Sequence, residues 1–272
     1  MGNGTTHDPG SNNISDELAT FAGDPDFALT LARGLAVIEC FGAREKGLSV
    51  SEIAKHIGIS RAAVRRILIT LQCLGYAESD GRLYRLKTRV LRLGVAYLSS
   101  ATLPTLAQPF LERITETIHE SASLSALDGD DIVYLARSAT RRVMSINLLP
   151  GSRLPSYCTS MGRVLIASLP QEEFDKYVAR IELNSFTSKT VSNKTKFLEI
   201  IKKVRLNEFS IIDQELELGL RSIAVPVKTP GGRVVAAMNI GLNAHRVPLS
   251  KMASRFLPLL RENASTLGKF LS

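Results

Sequence analysis

The stretch that most constrains the fold lies between residues 48 and 76, and it reads LSVSEIAKHIGISRAAVRRILITLQCLGY. Its spacing predicts two short helices joined by a tight turn. Ser49 and Ser51 are candidate caps for the first helix, and Gly58 suits its end because glycine tolerates a left-handed backbone conformation. Ser60 is the natural N-cap of the second helix, since its hydroxyl can accept hydrogen bonds from unpaired backbone N–H groups. The pattern is that of a helix-turn-helix.

The second of these helices has two different faces. Apolar residues at helical spacing form the face expected in the core: Val64, Ile67, Leu68, Leu71 and Leu74. The opposite face carries Ala62, Arg65, Arg66, Ile69 and Cys73, with Arg61 at its flank. Arginine can bind both acceptors of guanine, and a small residue allows close approach to the major groove. We therefore predict DNA contacts from Ser60, Arg61, Ala62, Arg65 and Arg66. The alternative is a solvated basic face.

A short hairpin follows the two helices. The segment AESDGRLYRL, residues 77–86, places an Asp80-Gly81 turn between two stretches of strand type. A helix-turn-helix followed by a small basic hairpin is typical of a winged helix-turn-helix. The tip of the wing, from Asp80 to Arg82, is expected near phosphates or the minor groove, which adds Arg82 to the predicted DNA-binding residues.

Positive charge is concentrated on this proposed DNA-binding module. Residues 28–102 hold 12 Lys and Arg against five Asp and Glu, whereas residues 103–272 hold 22 against 16 over more than twice the length. Residues 1–27 contain five acids and no Lys or Arg. Binding to double-stranded DNA requires neutralisation of phosphates, so this distribution agrees with the motif.

A chain of 272 residues favours two domains. Residues 1–26 are rich in Gly, Asn, Thr and Ser and are predicted to form a disordered arm. We predict a winged helix-turn-helix domain over residues 27–87, a linker helix over 88–102 and an effector-binding domain over 103–272. Within the linker, Thr88 to Ser100 has the pattern of one helix.

The second half of the chain has the pattern of an α+β domain with a mostly antiparallel sheet flanked by helices. The segment SASLSALDGDDIVYLARSA predicts two strands joined by an Asp-Gly-Asp-Asp turn, and Val143–Leu149 predicts a third strand. A loop is predicted over Gly151–Gly162 and a short helix over Arg163–Ser168. The remaining predicted elements are helices at Gln171–Arg180, Thr195–Asn207 and Leu249–Leu271 and strands at Phe209–Asp213, Arg221–Val227 and Val234–Leu242.

Several classes of protein find no support in the sequence. No run of about 18 apolar residues predicts a membrane span, and the N-terminus lacks a signal-peptide pattern, so we expect a cytoplasmic protein without a membrane partner. The three cysteines and four histidines are dispersed, which predicts neither disulfides nor a metal site. No cofactor is expected.

Four separated motifs occur in an order that resembles the IclR family of bacterial transcription regulators. They are LARGLAVIECF, LSVSEIAKHIGISRAAVRRIL, GSRLPSYCTSMGRVLIA and DQELELGLRSIAVPV. Within that family, LAQPFLERI, LDGDDIVYLARSATRRVMSINL and YCTSMGRVL look most like the Pca/Pob-type regulators of aromatic catabolism. The resemblance implies a winged helix-turn-helix, a linker helix and a GAF-like effector domain. It also implies a homodimer or a dimer of dimers, and an effector of the protocatechuate, 4-hydroxybenzoate or β-ketoadipate type.

The effector site is expected around the start of the short helix near residue 160. Thr159 and Ser160 are N-cap candidates, so the N–H groups of Met161 and Gly162 would point outward and could bind a carboxylate. The alternative is that Thr159 and Ser160 only cap the helix. The resemblance adds pocket residues at Asp213, Ser222 and Asn239, while Leu154, Tyr157 and Met161 could form an apolar wall. Many relatives have His at the position of Tyr157, and some have Cys at that of Ser222.

Other polar residues leave alternatives open. Arg137, Arg153, Arg163 and Arg221 are candidate partners for a carboxylate, or simply solvated. Glu215 and Glu217 fit a solvated stretch better than a catalytic pair, and Cys158 fits a small pocket or core residue. No nucleophile–base pair is evident, so we predict no catalytic residues. Two alternatives to an aromatic-acid regulator remain: a regulator of this family that responds to a non-aromatic small acid, and an enzyme with a DNA-binding appendage.

Overall fold

The structure is a computed structural model that describes residues 20–21, 23–41, 47–94, 102–139 and 148–271. It divides between Ser100 and Ala101 into two compact units. The predicted arm lies mainly outside the described residues. Of the predicted linker helix, residues 88–90 form a 3-10 turn and residues 91–94 are helical. Residues 95–101 lie outside the described residues, and Thr102 belongs to the next helix along the chain.

The first unit contains three helices and a two-stranded hairpin. The helices are α1 (Leu29–Glu39), α2 (Val50–Ile57) and α3 (Arg61–Cys73), and the antiparallel strands are β1 (Ala77–Ser79) and β2 (Tyr84–Leu86). Ser49 caps α2 in a reciprocal arrangement with Glu52, so Ser51 is not the cap. Gly58 ends α2 with a φ of 76°, and the Ser60 hydroxyl accepts from the N–H of Ala63. The predicted winged helix-turn-helix is confirmed.

The core of this unit is apolar and small. Its fully buried members include Val37, Ile53, Ile57, Val64 and Leu68. Leu48 joins the hairpin through two backbone hydrogen bonds with Tyr84, of 3.0 and 2.8 Å. Leu74 is 51% exposed because it caps the end of α3, beyond the last turn that faces the core, and its prediction as a core residue was wrong.

The second unit is built on a six-stranded sheet. The strands are β3 (Ser121–Asp128), β4 (Asp131–Ser138), β5 (Arg153–Pro155), β6 (Ser210–Asp213), β7 (Leu220–Lys228) and β8 (Val234–Asn243). They lie in the order β5-β4-β3-β8-β7-β6, and every neighbouring pair is antiparallel. The helices are α4 (Thr102–Ile118), α5 (Ser160–Ala167), α6 (Gln171–Arg180), α7 (Lys194–Asn207) and α8 (Met252–Gly268). The predicted α+β class with an antiparallel sheet is confirmed.

Helices cover both faces of the sheet. Helices α4 and α8 contribute to one apolar core, and α5, α6 and α7 contribute to the other. Neighbouring residues of a strand point to opposite faces. Thus Ile223 and Val225 of β7 belong to the first core, whereas Ala224 belongs to the second.

Two predictions near the start of α5 need correction. Three residues of the predicted loop form the edge strand β5, where Leu154 pairs with Ile132 of β4. Helix α5 begins at Ser160 and not at Arg163, because the Thr159 side chain accepts from the N–H of Gly162 and so starts the helix earlier. The predicted strand at Val143–Leu149 lies outside the described residues except for Leu148 and Leu149, which are not in a strand.

Candidate functional site

Helix α3 presents a basic face to solvent. Arg61, Ala62, Arg65 and Arg66 are exposed, while Val64, Leu68 and Leu71 are buried on the other side of the helix. Ser60 is the N-cap of the helix: its hydroxyl accepts from the N–H of Ala63, which fixes where the helix begins. The geometry therefore presents a small residue and three arginines on the first two turns of one exposed helix.

The wing is held in shape by Asp80. Its carboxylate accepts from the N–H groups of Leu83 at 2.8 Å and Arg82 at 3.0 Å, and it pairs with Arg85 at 3.2 Å. These backbone hydrogen bonds, with the Arg85 pair, lower the pKa of Asp80. Gly81 takes a φ of 95° at the turn, which suits glycine. Asp80 thus organises the tip, and the exposed side chain of Arg82 extends from it.

A narrow cavity with a volume of about 30 Å³ lies in the second unit between α5 and the sheet. Six of the nine predicted effector residues line it: Leu154, Thr159, Ser160, Met161, Ser222 and Asn239. The other lining residues are Ser121, Ser123, Tyr134, Arg137, Cys158, Ile212, Leu216, Leu220 and Gly241. The structure therefore brings residues from distant parts of the chain to one narrow cavity.

The sheet side of this cavity carries two rows of polar residues among apolar ones. Residues opposite one another on neighbouring antiparallel strands share a face. Ser123 of β3 is opposite both Arg137 of β4 and Asn239 of β8, so these three form one polar row across the sheet. Gly241 of β8 is opposite both Ser121 and Ser222, which forms a second row.

Three polar groups in the cavity are poorly satisfied within the protein. Ser160 Oγ and Asn239 Oδ1 are buried without a hydrogen-bond partner. The half-buried guanidinium of Arg137 reaches the hydroxyls of Ser123 and Ser121, both at 3.3 Å. Burial lowers the pKa of Arg137, with an opposing effect from Tyr134. Buried polar groups are usually paired, so this arrangement suits a polar ligand or water.

The start of α5 is closed by its own cap. Thr159 Oγ1 accepts from the N–H of Gly162 and donates to the carbonyl of Ser156, each at 3.2 Å. Capping is therefore confirmed for Thr159. A Cβ at Gly162 would lie 2.1 Å from the Ser156 carbonyl oxygen, so glycine allows the preceding turn to pack directly on the helix. Gly162 is absent from the cavity wall formed by the described residues.

Two other predicted effector residues also lie outside the cavity wall. Tyr157 is buried, and its hydroxyl donates to the carbonyl of Asn184 at 2.7 Å. Asp213 accepts from Arg221 Nε at 2.8 Å and from Lys189 at 3.3 Å. Burial alone would raise the pKa of Asp213, but hydrogen bonds from Arg221, Gln214 and Lys189 together lower it. The structure thus gives both side chains partners within the protein.

Glu215 is buried, and its prediction as a solvated residue was wrong. Its two carboxylate oxygens accept from Arg163 at 2.8 and 2.7 Å, and one also accepts from the N–H of Val191. Arg163 is 2% exposed and also donates to the carbonyl of Tyr157. This bidentate pair links α5 to the β6–β7 loop, whose Leu216 borders the cavity.

The other predicted carboxylate partners are also engaged. Arg153 pairs with Asp128 and Asp131 at the β3–β4 turn, and Arg221 pairs with Asp213. Of the four arginines considered in the sequence, Arg137 is the one without an acidic partner among the described residues. Sequence reasoning missed Ser121 and Ser123, although their spacing of two on a predicted strand was a signal that they share a face.

Cys158 does not have the properties of an activated nucleophile. Burial raises its pKa to about 12, and the nearby Arg163 offsets this only in part. The described residues contain no cluster of three His, Cys, Asp or Glu side chains suited to a metal ion. No helix in the described part of the chain is long and apolar enough to span a membrane.

Comparison with known proteins shows similarity over both units. The model "Bacterial transcriptional regulator IclR C-terminal" matches residues 95–269, and the "IclR helix-turn-helix domain" matches residues 30–81. The chain is 49% identical to the Pca regulon regulatory protein of Pseudomonas putida, over 89% of this chain and 84% of the relative. It is 37% identical to the p-hydroxybenzoate hydroxylase transcriptional activator of Acinetobacter baylyi, over 93% and 94%.

One solved structure is similar to part of this chain. It is a double mutant of the inducer-binding domain of the PobR transcription factor from Acinetobacter, in complex with 3-hydroxybenzoic acid. The sequence identity is 32% and the TM-score 0.59, over 63% of this chain and all of that chain.

Proposed function

The chain belongs to the IclR family of bacterial transcription regulators, and we propose that a small carboxylic acid of aromatic catabolism controls its action on operator DNA. The observation that carries this proposal is the cavity between α5 and the sheet, with its one arginine and its unpartnered polar atoms. The names of the relatives supply the chemical class, since they are regulators of the pca genes and of a hydroxybenzoate hydroxylase.

The proposed DNA-binding surface consists of the start of α3 and the wing. Arg61, Ala62, Arg65 and Arg66 would enter or border the major groove, Ser60 would position the helix, and Arg82 would reach the backbone or minor groove. One such helix reads few base pairs. We therefore propose that a homodimer or dimer of dimers binds paired half-sites, and sedimentation of the protein with and without DNA tests this.

The effector would bind beside Ser160, Met161, Ser222 and Asn239, with Leu154 against its apolar part. Tyr157, Thr159, Gly162 and Asp213 would then shape or support the site through the contacts that they make within the protein. Turnover of the acid finds no support in this cavity: none of its described lining residues is a His, Asp or Glu, and the Cys158 thiol is held protonated. A regulator of this kind works in the cytoplasm, where bacterial DNA is located.

Thermal unfolding with candidate acids tests the proposed effector class. Protocatechuate, 4-hydroxybenzoate and β-ketoadipate are each added to the full-length protein, with phenol as a neutral control. A ligand that binds only the folded state stabilises it by roughly 2.7 kcal/mol at a concentration 100 times its Kd. At least one acid should raise the melting temperature of the second unit and change affinity for operator DNA. If none does so, the proposed effector class is wrong.

A further inference from the structure

The described residues that line the cavity contribute positive charge and no negative charge. Of its described lining residues, Arg137 alone carries a charged side chain. The nearby arginines that could have competed for an acid are already paired: Arg163 with Glu215 and Arg221 with Asp213. No described carboxylate forms an ion pair with Arg137, so its charge is offset only by the hydroxyls of Ser121 and Ser123.

A half-buried cation that lacks a counterion is an unfavourable arrangement by itself. Removing a charge from water is costly unless an opposite charge or strong hydrogen bonds replace the water. The two hydrogen bonds of 3.3 Å are longer than the 2.7–2.9 Å that is usual between guanidinium and carboxylate groups. A bound carboxylate would supply both the missing charge and better acceptors.

This inference rests on the proposed function. We propose that Arg137 binds the carboxylate of the effector, so that the acid group lies over β3 and β4 and not at the capped start of α5. The guanidinium would hold the acid, with the hydroxyls of Ser121 and Ser123 beside it. Asn239 lies two strands from Arg137, or about 10 Å along the sheet. The distal end of the ligand would therefore reach Asn239 Oδ1 and Ser160 Oγ, the two buried atoms without a partner.

Isothermal titration with matched acids and amides tests this placement. The probes are 4-hydroxybenzoate and protocatechuate, each compared with its primary amide, which has the same shape without the charge. The wild-type protein should bind the better acid roughly 10- to 100-fold more tightly than its amide, as expected for a charge-assisted hydrogen bond. Arg137→Gln should lose that factor for the acid and leave the affinity for the amide nearly unchanged.

The controls separate this inference from the proposed function. Arg113→Gln makes the same change at an exposed position of α4 and should keep the acid preference. If the wild-type protein binds the acid and Arg137→Gln binds it equally well, the placement at Arg137 is wrong while the proposed function stands. If the amide binds the wild-type protein as tightly as the acid, the placement at Arg137 is wrong. This comparison does not depend on whether Arg137→Gln folds. If neither the two acids nor β-ketoadipate binds the wild-type protein, the proposed effector class is wrong, and so is this inference.

Discussion

Two adjacent hydroxyl residues at the start of α5 have different roles. Thr159 Oγ1 both accepts and donates a hydrogen bond within the protein, so it is committed to capping the helix. Ser160 Oγ is buried in the cavity without a partner. Sequence alone identified both as cap candidates, because Ser and Thr share this preference. Which hydroxyl remains available depends on where the previous turn packs, and that requires the tertiary structure.

Gly162 should be intolerant of even one added methyl group. In Gly162→Ala, the new Cβ would overlap the Ser156 backbone, so either α5 or the turn before it must move. Overpacking of this kind typically lowers the free energy of unfolding by about 1–3 kcal/mol. Urea denaturation measures the loss. Gly231→Ala is the matched control, since the nearest atom to its added Cβ is 3.8 Å away. Equal stability of the two variants would contradict the proposed packing role.

At the scale of elements, the sequence predicted local features well and long-range pairs poorly. The two helices and the turn of residues 48–76 were predictable because their caps and apolar spacing are local signals. The buried pair between Arg163 and Glu215 joins residues 52 positions apart, and nothing in the local pattern marks Glu215 as buried. The edge strand β5 was missed for a different reason: its three residues are too few to show the alternating pattern of a strand.

Helix α3 provides a prediction about DNA affinity. Arg65 and Arg66 are exposed on the face opposite Val64 and Leu68. Arg66→Ala should weaken specific binding by roughly 1–3 kcal/mol if the side chain reads a base, or reduce the salt dependence of binding if it contacts phosphate. Fluorescence anisotropy with operator DNA at several salt concentrations distinguishes these cases. Arg113→Ala, in the second unit, is the control. Unchanged affinity and salt dependence in both Arg65→Ala and Arg66→Ala would refute the assignment.

The Arg163–Glu215 pair provides a prediction about stability and effector binding. Glu215→Gln removes the negative charge and leaves the buried guanidinium of Arg163 without its counterion, which should cost about 3–5 kcal/mol. The β6–β7 loop would also be released from α5, so effector affinity should fall. Glu172→Gln breaks an exposed pair with Lys176 and should change stability by at most about 0.5 kcal/mol. Denaturation of both variants measures their stability, and effector titration then measures their affinity. Similar losses of stability in the two variants would contradict the proposed role of the Arg163–Glu215 pair.

At the scale of the whole molecule, we propose that DNA recognition and effector recognition belong to separate units of the protein. The two compact units divide between Ser100 and Ala101. Composition and motif order predict such an organisation, since the basic module and the α+β module differ in charge and periodicity. The composition of the cavity was harder to predict, because it combines residues from β3, β4, α5, β7 and β8.

Because the proposed DNA-binding and effector sites belong to different units, the effector response should be separable from DNA binding. Ser160 is 1% exposed and borders a narrow cavity, so the ring in Ser160→Phe would occupy the space that we assign to the ligand. An effector changes DNA occupancy only through its different affinities for two states of the protein. The variant should therefore bind operator DNA nearly as well as the wild type without effector, yet show no change when the acid is added. Anisotropy titrations with and without the acid measure both properties.

Ser168→Phe, at the exposed end of α5, is the control and should respond normally. A Ser160→Phe protein with a normal response would place the effector outside this cavity.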